Sequence, residues 1–517
     1  MRVADRDDAD GVQQIVVLGG GSAGWLVAGL LAAEHPALTI TLIESSETPP
    51  IGVGEGTWPS MRDTLRRIGL SEADLVRECD AAFKQGSRFD GWATGQAGEH
   101  YLHPFTLPQG FGDADLAGAW AAEHREQPFA DLVSPQPHLC AAGRAPKQFA
   151  TPEFAAVANY AYHFDAGKFG TLLRRHAVKQ LGVVHVIDTV EHVLSADNGD
   201  IAALRTRAHG DIAGDLFIDC SGLQSRLIGQ HFGVPLIELG DVLFNDAALA
   251  VQVPYTDPAQ PLACTTVATA WATGWIWDIG LPERRGVGVV YSRRHASPDQ
   301  AEQALRDYLH RTGAPADLPT PRAIPFTPGY RERFWVRNCV AIGLASGFVE
   351  PLEASALALV ELSAARLCDE LPATRSAMDS LARRFNEAFG YRWARVIDFL
   401  KLHYALSRRD DSVYWLEHRS AESLPETLRE LLPLWRLRAP SRHDFGRIEE
   451  VFPAASYQYV LYGMGFRPQA RPLTPAALAA AEMHLSEVAA LTRKMLPALP
   501  SHRALIDHIH QHGLSCL

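Results

Sequence analysis

Gly19, Gly21 and Gly24 stand at the spacing G-x-G-x-x-G, directly after the β-branched run Ile15-Val16-Val17 and at the start of an apolar, alanine-rich stretch ending near "AAEHP". Each glycine at that spacing has its own physical task. Gly19 permits the tight turn out of a strand, Gly21 lets the backbone approach a pyrophosphate, and Gly24 lets helix pack on strand. Gly20, Ser22 and Ala23 lie between them, where the helix start offers free N–H groups and partial positive charge. A second strand, "LTITLIESS", places Glu44 at its end, 20 residues past Gly24, where a carboxylate can accept both hydroxyls of a ribose. Strand, glycine turn, helix, strand and terminal acid together predict a dinucleotide cradle.

Two rival patterns use the same residues. Gly20-Gly21-Ser22-Ala23-Gly24 satisfies the G-x-S-x-G elbow of a serine hydrolase, but only one strand precedes it and no oxyanion segment lies upstream. A secretion signal wants a basic leader, whereas "ADRDDAD" carries four aspartates against one arginine.

The chain that must position this cradle has 517 residues, 47% hydrophobic and 21% charged, enough for two or three domains with a large core. A formal charge of −12 and a pI near 6.0 offer no cationic surface for a phosphate backbone, so nucleic acid is not an expected partner. No window of eighteen nearly uncharged apolar residues calls for a membrane. Seven cysteines, far apart and without a C-x-x-C pair, make neither a disulfide framework nor a zinc pattern, and fit a reducing cytoplasm.

Residues 212–222, "IAGDLFIDCSG", read as a strand pair running into Asp219-Cys220-Ser221-Gly222, and residues 338–353, "NCVAIGLASGFVEPLE", as another strand followed by a glycine-punctuated loop entering a helix. Three passes at these separations suit an extended FAD. The expected fold is α/β (α+β): an FAD-binding, glutathione-reductase-type Rossmann-like domain with a largely helical C-terminal substrate-side domain. Residues 1–10 read as a disordered tail, 11–355 as the FAD module with insertions at about 90–165 and 240–330, and 356–517 as the helical domain. In the latter, "LALVELSAARLCDEL", "MDSLARRFNEAFGYRWARVIDFLKLHYAL" and "AALAAAEMHLSEVAALTRKM" place apolar residues three and four apart. His508 and His512 share one face of the terminal helix without an acid or cysteine at ligand spacing, which reads as a polar end rather than a metal site.

"GGGSAGW" (19–25), "PPIGVGEGTWPSM" (49–61), "FKQGSRFDGW" (83–92), "FIDCSG" (217–222), "GWIWDI" (274–279), "GFVEPLEASAL" (347–357) and "DFLKLHY" (398–404) together resemble the flavin-dependent halogenases of the tryptophan halogenase family. The resemblance implies FAD as cofactor, taken up as FADH2 from a separate NADH-dependent flavin reductase. It also implies oxidation of chloride or bromide by oxygen to hypohalous acid, and delivery of that oxidant inside the protein to a small aromatic substrate. It places the cofactor against the first glycine turn and Glu44, and against Gly54, Val190, Asp219, Leu344 and Leu357. Lys84 becomes the lysine that hydrogen-bonds or covalently holds the halogen, and Glu353 the carboxylate that takes the ring proton or polarises the oxidant. Taken alone, Lys84 reads as a solvated lysine after a helix and Glu353 as a cap of the helix beginning at "ASALALVEL". Halide would sit on the N–H groups of Ser355 and Ala356. Trp275 and Trp277, on one face of a strand, would wall flavin from substrate, while His103 and Phe105 would stack on the substrate.

Three departures bear on this reading. Where the family commonly has L-E-S-T-G-I, this chain has Leu352-Glu353-Ala354-Ser355-Ala356-Leu357, and an alanine at 356 restricts φ where glycine would not. Gly280 replaces the proline that closes G-W-x-W-x-I-P. The tyrosine pair and acid with which the family holds free tryptophan also have no match: Tyr457 and Tyr459 alternate, and no acid follows. Indole is therefore the expected substrate over tryptophan, and bromide the expected halide over chloride. An FAD monooxygenase and a flavin-binding relative without turnover stay open as alternatives, and a homodimer stays open beside a monomer.

A single dinucleotide fingerprint, with no second one for a nicotinamide domain, predicts stoichiometric FAD binding and little affinity for NADH. Calorimetry showing stoichiometric NADH binding, or rapid flavin reduction by NADH alone, would count against it.

Overall fold

The computed structural model describes residues 11–47, 54–447, 449–469 and 472–515. The expected N-terminal tail, Thr48, and residues 49–53 of the "PPIGVGEGTWPSM" stretch lie outside the described residues.

Gln14–Leu18 and Thr39–Glu44, rich in Ile, Val, Thr and Leu, pair in parallel at the centre of a six-stranded sheet. Its order runs Trp335–Val336, Cys339–Ala341, Leu216–Asp219, Gln14–Leu18, Thr39–Glu44, Val184–Ile187, parallel throughout except for the first, antiparallel edge strand. Such strands are buried on both faces, which is why they read as continuous apolar runs rather than alternating ones. The connecting helix Ser22–Glu34 is apolar all round and lies between helices Ala166–Lys179 and Ser355–Asp369. Close backbone approach at its start needs glycine: a Cβ on Gly24 would lie 1.9 Å from the Gly19 carbonyl oxygen. Gly19 itself has φ +118°, beside the Cys220 carbonyl. Nothing lies within 4 Å of a Cβ on Gly21, which faces open space. Gly19 and Gly24 thus make the close backbone approaches their spacing predicts, and Gly21 leaves room for a ligand.

A second, seven-stranded sheet joins Gly86–Asp90 and His100–Pro104 to strands from 247–325. Gly274–Gly280 lies inside it, turning Trp275, Trp277 and Ile279 to the main core and Ile276 to a separate cluster with Val287 and Leu305. A third, small sheet pairs Ala161–Phe164 with Glu55–Gly56 on one side and Ala82–Lys84 on the other. Lys84 and Gly86, separated by one residue, therefore belong to different sheets.

The helical stretches lie at Ser355–Asp369, Arg375–Ala405 and Pro475–Ala498. One continuous hydrophobic core runs from Val12 to Ile509 and includes residues on both sides of position 356, so the helices are packed into the nucleotide-binding half. Arg375–Ala405 begins as a half-exposed helix and ends buried on every side, from Val396 to Tyr404. His508 and His512 face each other with ring centroids 4.7 Å apart. Among the described residues, no helix is long and apolar enough to cross a membrane.

Gly24→Ala is expected to overpack the strand–helix junction and destabilise the fold by about 1–3 kcal/mol, while weakening FAD binding. Urea unfolding and a flavin titration of the variant check both effects.

Candidate active site

The glycine turn opens on a cavity of about 670 Å³, within the range typical of small-molecule sites. Gly19, Gly20, Gly21, Ser22, Ala23 and Glu44 line it, as do Gly54, Leu344 and Leu357. Helix Ser22–Glu34 starts at Gly21 with no side-chain cap, leaving its first N–H groups for an anion. Glu44 packs over Gly20 and accepts from His185 Nε2 at 2.7 Å. An open cradle at Gly21, an uncapped helix start and a terminal carboxylate fit the pyrophosphate and ribose of FAD.

Three expected cofactor contacts lie off this wall. Gly24 packs beneath it on Gly19. Val190 belongs to a core cluster on the other side of the sheet. Asp219 is fully buried and accepts from the N–H groups of Ser221, Leu227 and Ile228 at 3.1, 2.8 and 2.9 Å, so its oxygens hold the turn that shapes the cavity.

Helix Ser355–Asp369 points its N-terminus into the same cavity, with Ser355 and Ala356 in the lining. The backbone tension expected at Ala356 falls elsewhere. Ala356 is in the first helical turn with ordinary φ, whereas Ala354, the N-cap, adopts φ +55°, ψ +37°, a left-handed conformation uncommon for a non-glycine residue. No side chain caps this helix, so the Ser355 and Ala356 N–H groups face the cavity, suited to a small anion. Glu353 is not its cap.

The Glu353 carboxylate instead turns into the protein. Its Oε1 accepts from His103 Nδ1 at 2.9 Å and His403 Nε2 at 3.1 Å, and its Oε2 from Ser87 Oγ at 3.1 Å. The Glu353 carbonyl accepts from Trp58 Nε1 at 2.7 Å. Burial pushes this carboxyl up, but His103, His403 and Lys84 together outweigh burial and hold it below the ordinary carboxylate range. It is an anion at neutral pH. His403 is driven down to about 4 by burial, against the pull of Glu353, and is neutral there.

Lys84 ends the strand Ala82–Lys84 and is 1% exposed. Burial lowers its ammonium from 10.5 to about 8, with Glu353 opposing the shift. A methyl group at Gly56 would lie 3.2 Å from Lys84 Nζ and 3.4 Å from Ala354 Cβ; Gly56 and Ala354 both line the cavity. The amine therefore reaches the cavity edge. Its other neighbour is Phe105, whose ring centroid is 5.4 Å from Nζ. His163, buried, bonds through Nε2 to Thr266 Oγ1 at 2.8 Å, and Thr266 is again a cavity residue.

Trp277 lines the cavity, and Trp275 is fully buried behind it, with ring centroids 6.3 Å apart at 62°. His103 has both ring nitrogens engaged, with Glu353 and with Ser456 Oγ at 2.9 Å, so it orients the carboxylate rather than lying free to stack. Beside this carboxylate lies an aromatic cluster that no spacing marks: Trp58, Phe452 and Phe399, in contact edge-to-face and stacked, with Tyr459 beside His103. His403, inside "DFLKLHY", was equally silent. The one available signal was a polar residue at the centre of an apolar helical run.

The tryptophan halogenase family model matches residues 14–480. Over 94% of this chain and 96% of the relative, the chain is 33% identical to the tryptophan 6-halogenase of Streptomyces toxytricini. It is 32% identical to the tryptophan 7-halogenase of Lentzea aerocolonigenes over 97% and 99%. The crystal structure of a tryptophan halogenase from Shewanella frigidimarina superposes with a TM-score of 0.95 at 46% identity, covering 98% of this chain and 99% of that one.

The lowered ammonium of Lys84 is a stability cost in the folded state. Because the folded value is depressed, the cost is fully present below pH 8, fades as pH rises toward 10.5, and amounts to about 3 kcal/mol at most. Lys84→Met is expected to raise stability by roughly 1–3 kcal/mol at pH 7, with a smaller gain at pH 9.5. Urea unfolding at both pH values checks this.

Proposed function

This chain belongs to the tryptophan halogenase family and is a flavin-dependent halogenase; from that premise we propose that it halogenates a free indole or substituted indole, using bromide more readily than chloride. A separate NADH-dependent reductase supplies its reduced FAD. Bound reduced flavin furnishes the electrons with which oxygen converts halide to hypohalous acid. Every other task falls to the protein. The N–H groups of Ser355 and Ala356 hold the halide at the cavity wall. Trp277, backed by Trp275, keeps the aromatic substrate off the flavin. Lys84, partly neutral near pH 8, receives the oxidised halogen by hydrogen bond or N–halogen bond and presents it to one ring carbon. The Glu353 anion accepts the ring proton, with His103, His403 and Ser87 fixing its orientation.

The observation that carries this reading is Lys84: a buried amine at the edge of the dinucleotide cavity, next to a buried anionic carboxylate. Indole over tryptophan is favoured by helix Ala454–Gly463. Tyr457 packs on Trp435 and Phe445, and Tyr459 donates to the Thr106 carbonyl at 2.9 Å, so the two phenols point apart and offer no paired grip on a zwitterion. A halide resting on backbone N–H groups in a mainly apolar cavity sheds much of its hydration, which costs less for bromide.

Lys84→Ala is expected to lower halogenated product at least 100-fold while leaving FAD affinity within twofold. Turnover of indole and tryptophan in equal bromide or chloride, followed by mass spectrometry, tests the rest. Efficient regioselective chlorination of free tryptophan would sink the substrate and halide assignments, and normal halogenation by the variant would sink the lysine mechanism.

A further inference from the structure

Three residues before Glu353, the same segment carries a second buried carboxylate. Glu350 is 1% exposed and points away from the Glu353 chamber, toward the strand that bears the two tryptophans. Its Oε2 accepts from three elements at once: Trp275 Nε1 at 2.6 Å, Asn245 Nδ2 at 2.6 Å and Tyr404 Oη at 2.7 Å. Asn245 is itself fixed, its Oδ1 accepting from Tyr414 Oη at 3.0 Å. Glu350 Oε1 is buried with no hydrogen-bond partner among the described residues. Burial pushes this carboxyl up, and the hydrogen bonds from Trp275, Tyr404 and Asn245 oppose it; protonation at Oε1 would leave its hydrogen without an acceptor among the described residues, which favours the anion. Lys401, three residues before Tyr404 on the same helix, is a buried amine that burial lowers to about 7 against the pull of Glu350, and it is anchored on the Val242 carbonyl and His418 Nδ1 at 3.0 and 2.9 Å.

We propose that Glu350 is a positioning residue for halogenation: its carboxylate tethers the Trp275 indole, and through it Trp277, as the partition between the flavin cavity and the Glu353–Lys84 chamber. Trp275 has no contact with the cavity and acts by backing Trp277, which does. Aromatic packing alone leaves an indole free to tilt; a charged acceptor on its only polar atom does not. The tether also fixes the distance between the tryptophan strand and the loop Pro351–Ala354, which leads into the halide helix. The partition so held directs the oxidant to Lys84 and prevents its escape along the cavity.

The inference rests on the oxidant transfer proposed above. Its test is the division of bromine between indole and monochlorodimedone, an enol in solution that captures escaped hypobromous acid. With reductase, FAD, NADH and bromide, Glu350→Gln is expected to raise the trapped-to-indole ratio at least fivefold while FAD affinity stays within twofold. Trp275→Phe, which deletes only the N–H and part of the ring, is expected to do the same, and the double variant no more than either alone. An unchanged ratio in Glu350→Gln, or effects of Glu350→Gln and Trp275→Phe that multiply, would overturn the tether. If Glu350→Gln fails to fold, the Trp275→Phe ratio decides in the same way. A wild-type enzyme that brominates neither indole nor the trap would overturn the proposed reaction, and the tether with it.

Discussion

Two carboxylates are buried within four residues of each other, and the architecture around them brings hydrogen-bond donors from several elements to each. Taking an anion out of water costs several kcal/mol unless hydrogen bonds replace the hydration. Glu353 is answered by Ser87, His103 and His403; Glu350 by Trp275, Asn245 and Tyr404. The donors come from two neighbouring strands of the seven-stranded sheet, from its tryptophan strand, from the loop residue Asn245, and from one helix. That helix contributes His403 and Tyr404, consecutive residues whose side chains diverge by about 100° as helical geometry requires. One turns to each acid. For this the last turns of Arg375–Ala405 must be drawn into the core, polar residues included, and the helix loses its exposed face there.

Local structure was legible in the sequence wherever a local rule governs it. The β-branched runs at 15–17 and 39–44, the glycine spacing at 19–24 and the acid at 44 are each set by backbone sterics or by periodicity within one βαβ unit, and the structure places them as the spacing requires. The three long C-terminal helices follow from apolar periodicity. The resemblance added Lys84 and Glu353, which no spacing rule would have joined across 269 residues.

What could not be read depends on who meets whom across the fold. Ser87 and His103 face Glu353 because two strands pair in a particular register, Ser87 opposite His103. Asp219, at the end of a strand that runs toward the cofactor, was an obvious ligand by position, yet backbone N–H groups from the following turn claim its oxygens first. The replacement of glycine at 356 suggested a stiffened halide loop. The strained conformation proved to lie two residues earlier, at Ala354, because the turn that aims the helix at the cavity is completed before the helix begins.

The helices Ser22–Glu34 and Ser355–Asp369 pack side by side, and both begin at the same cavity with no side chain capping their first N–H groups. Their partial charges of about +0.5 each therefore add rather than cancel. Without cofactor, the site is a tandem electropositive mouth open to whatever anions the solution holds. Phosphate or sulfate from a buffer would be drawn to either helix start, and an anion seated on the first lowers the potential felt at the second. Ionic conditions during purification and assay would thus set what occupies both helix starts, and order of addition would become a variable of any measurement.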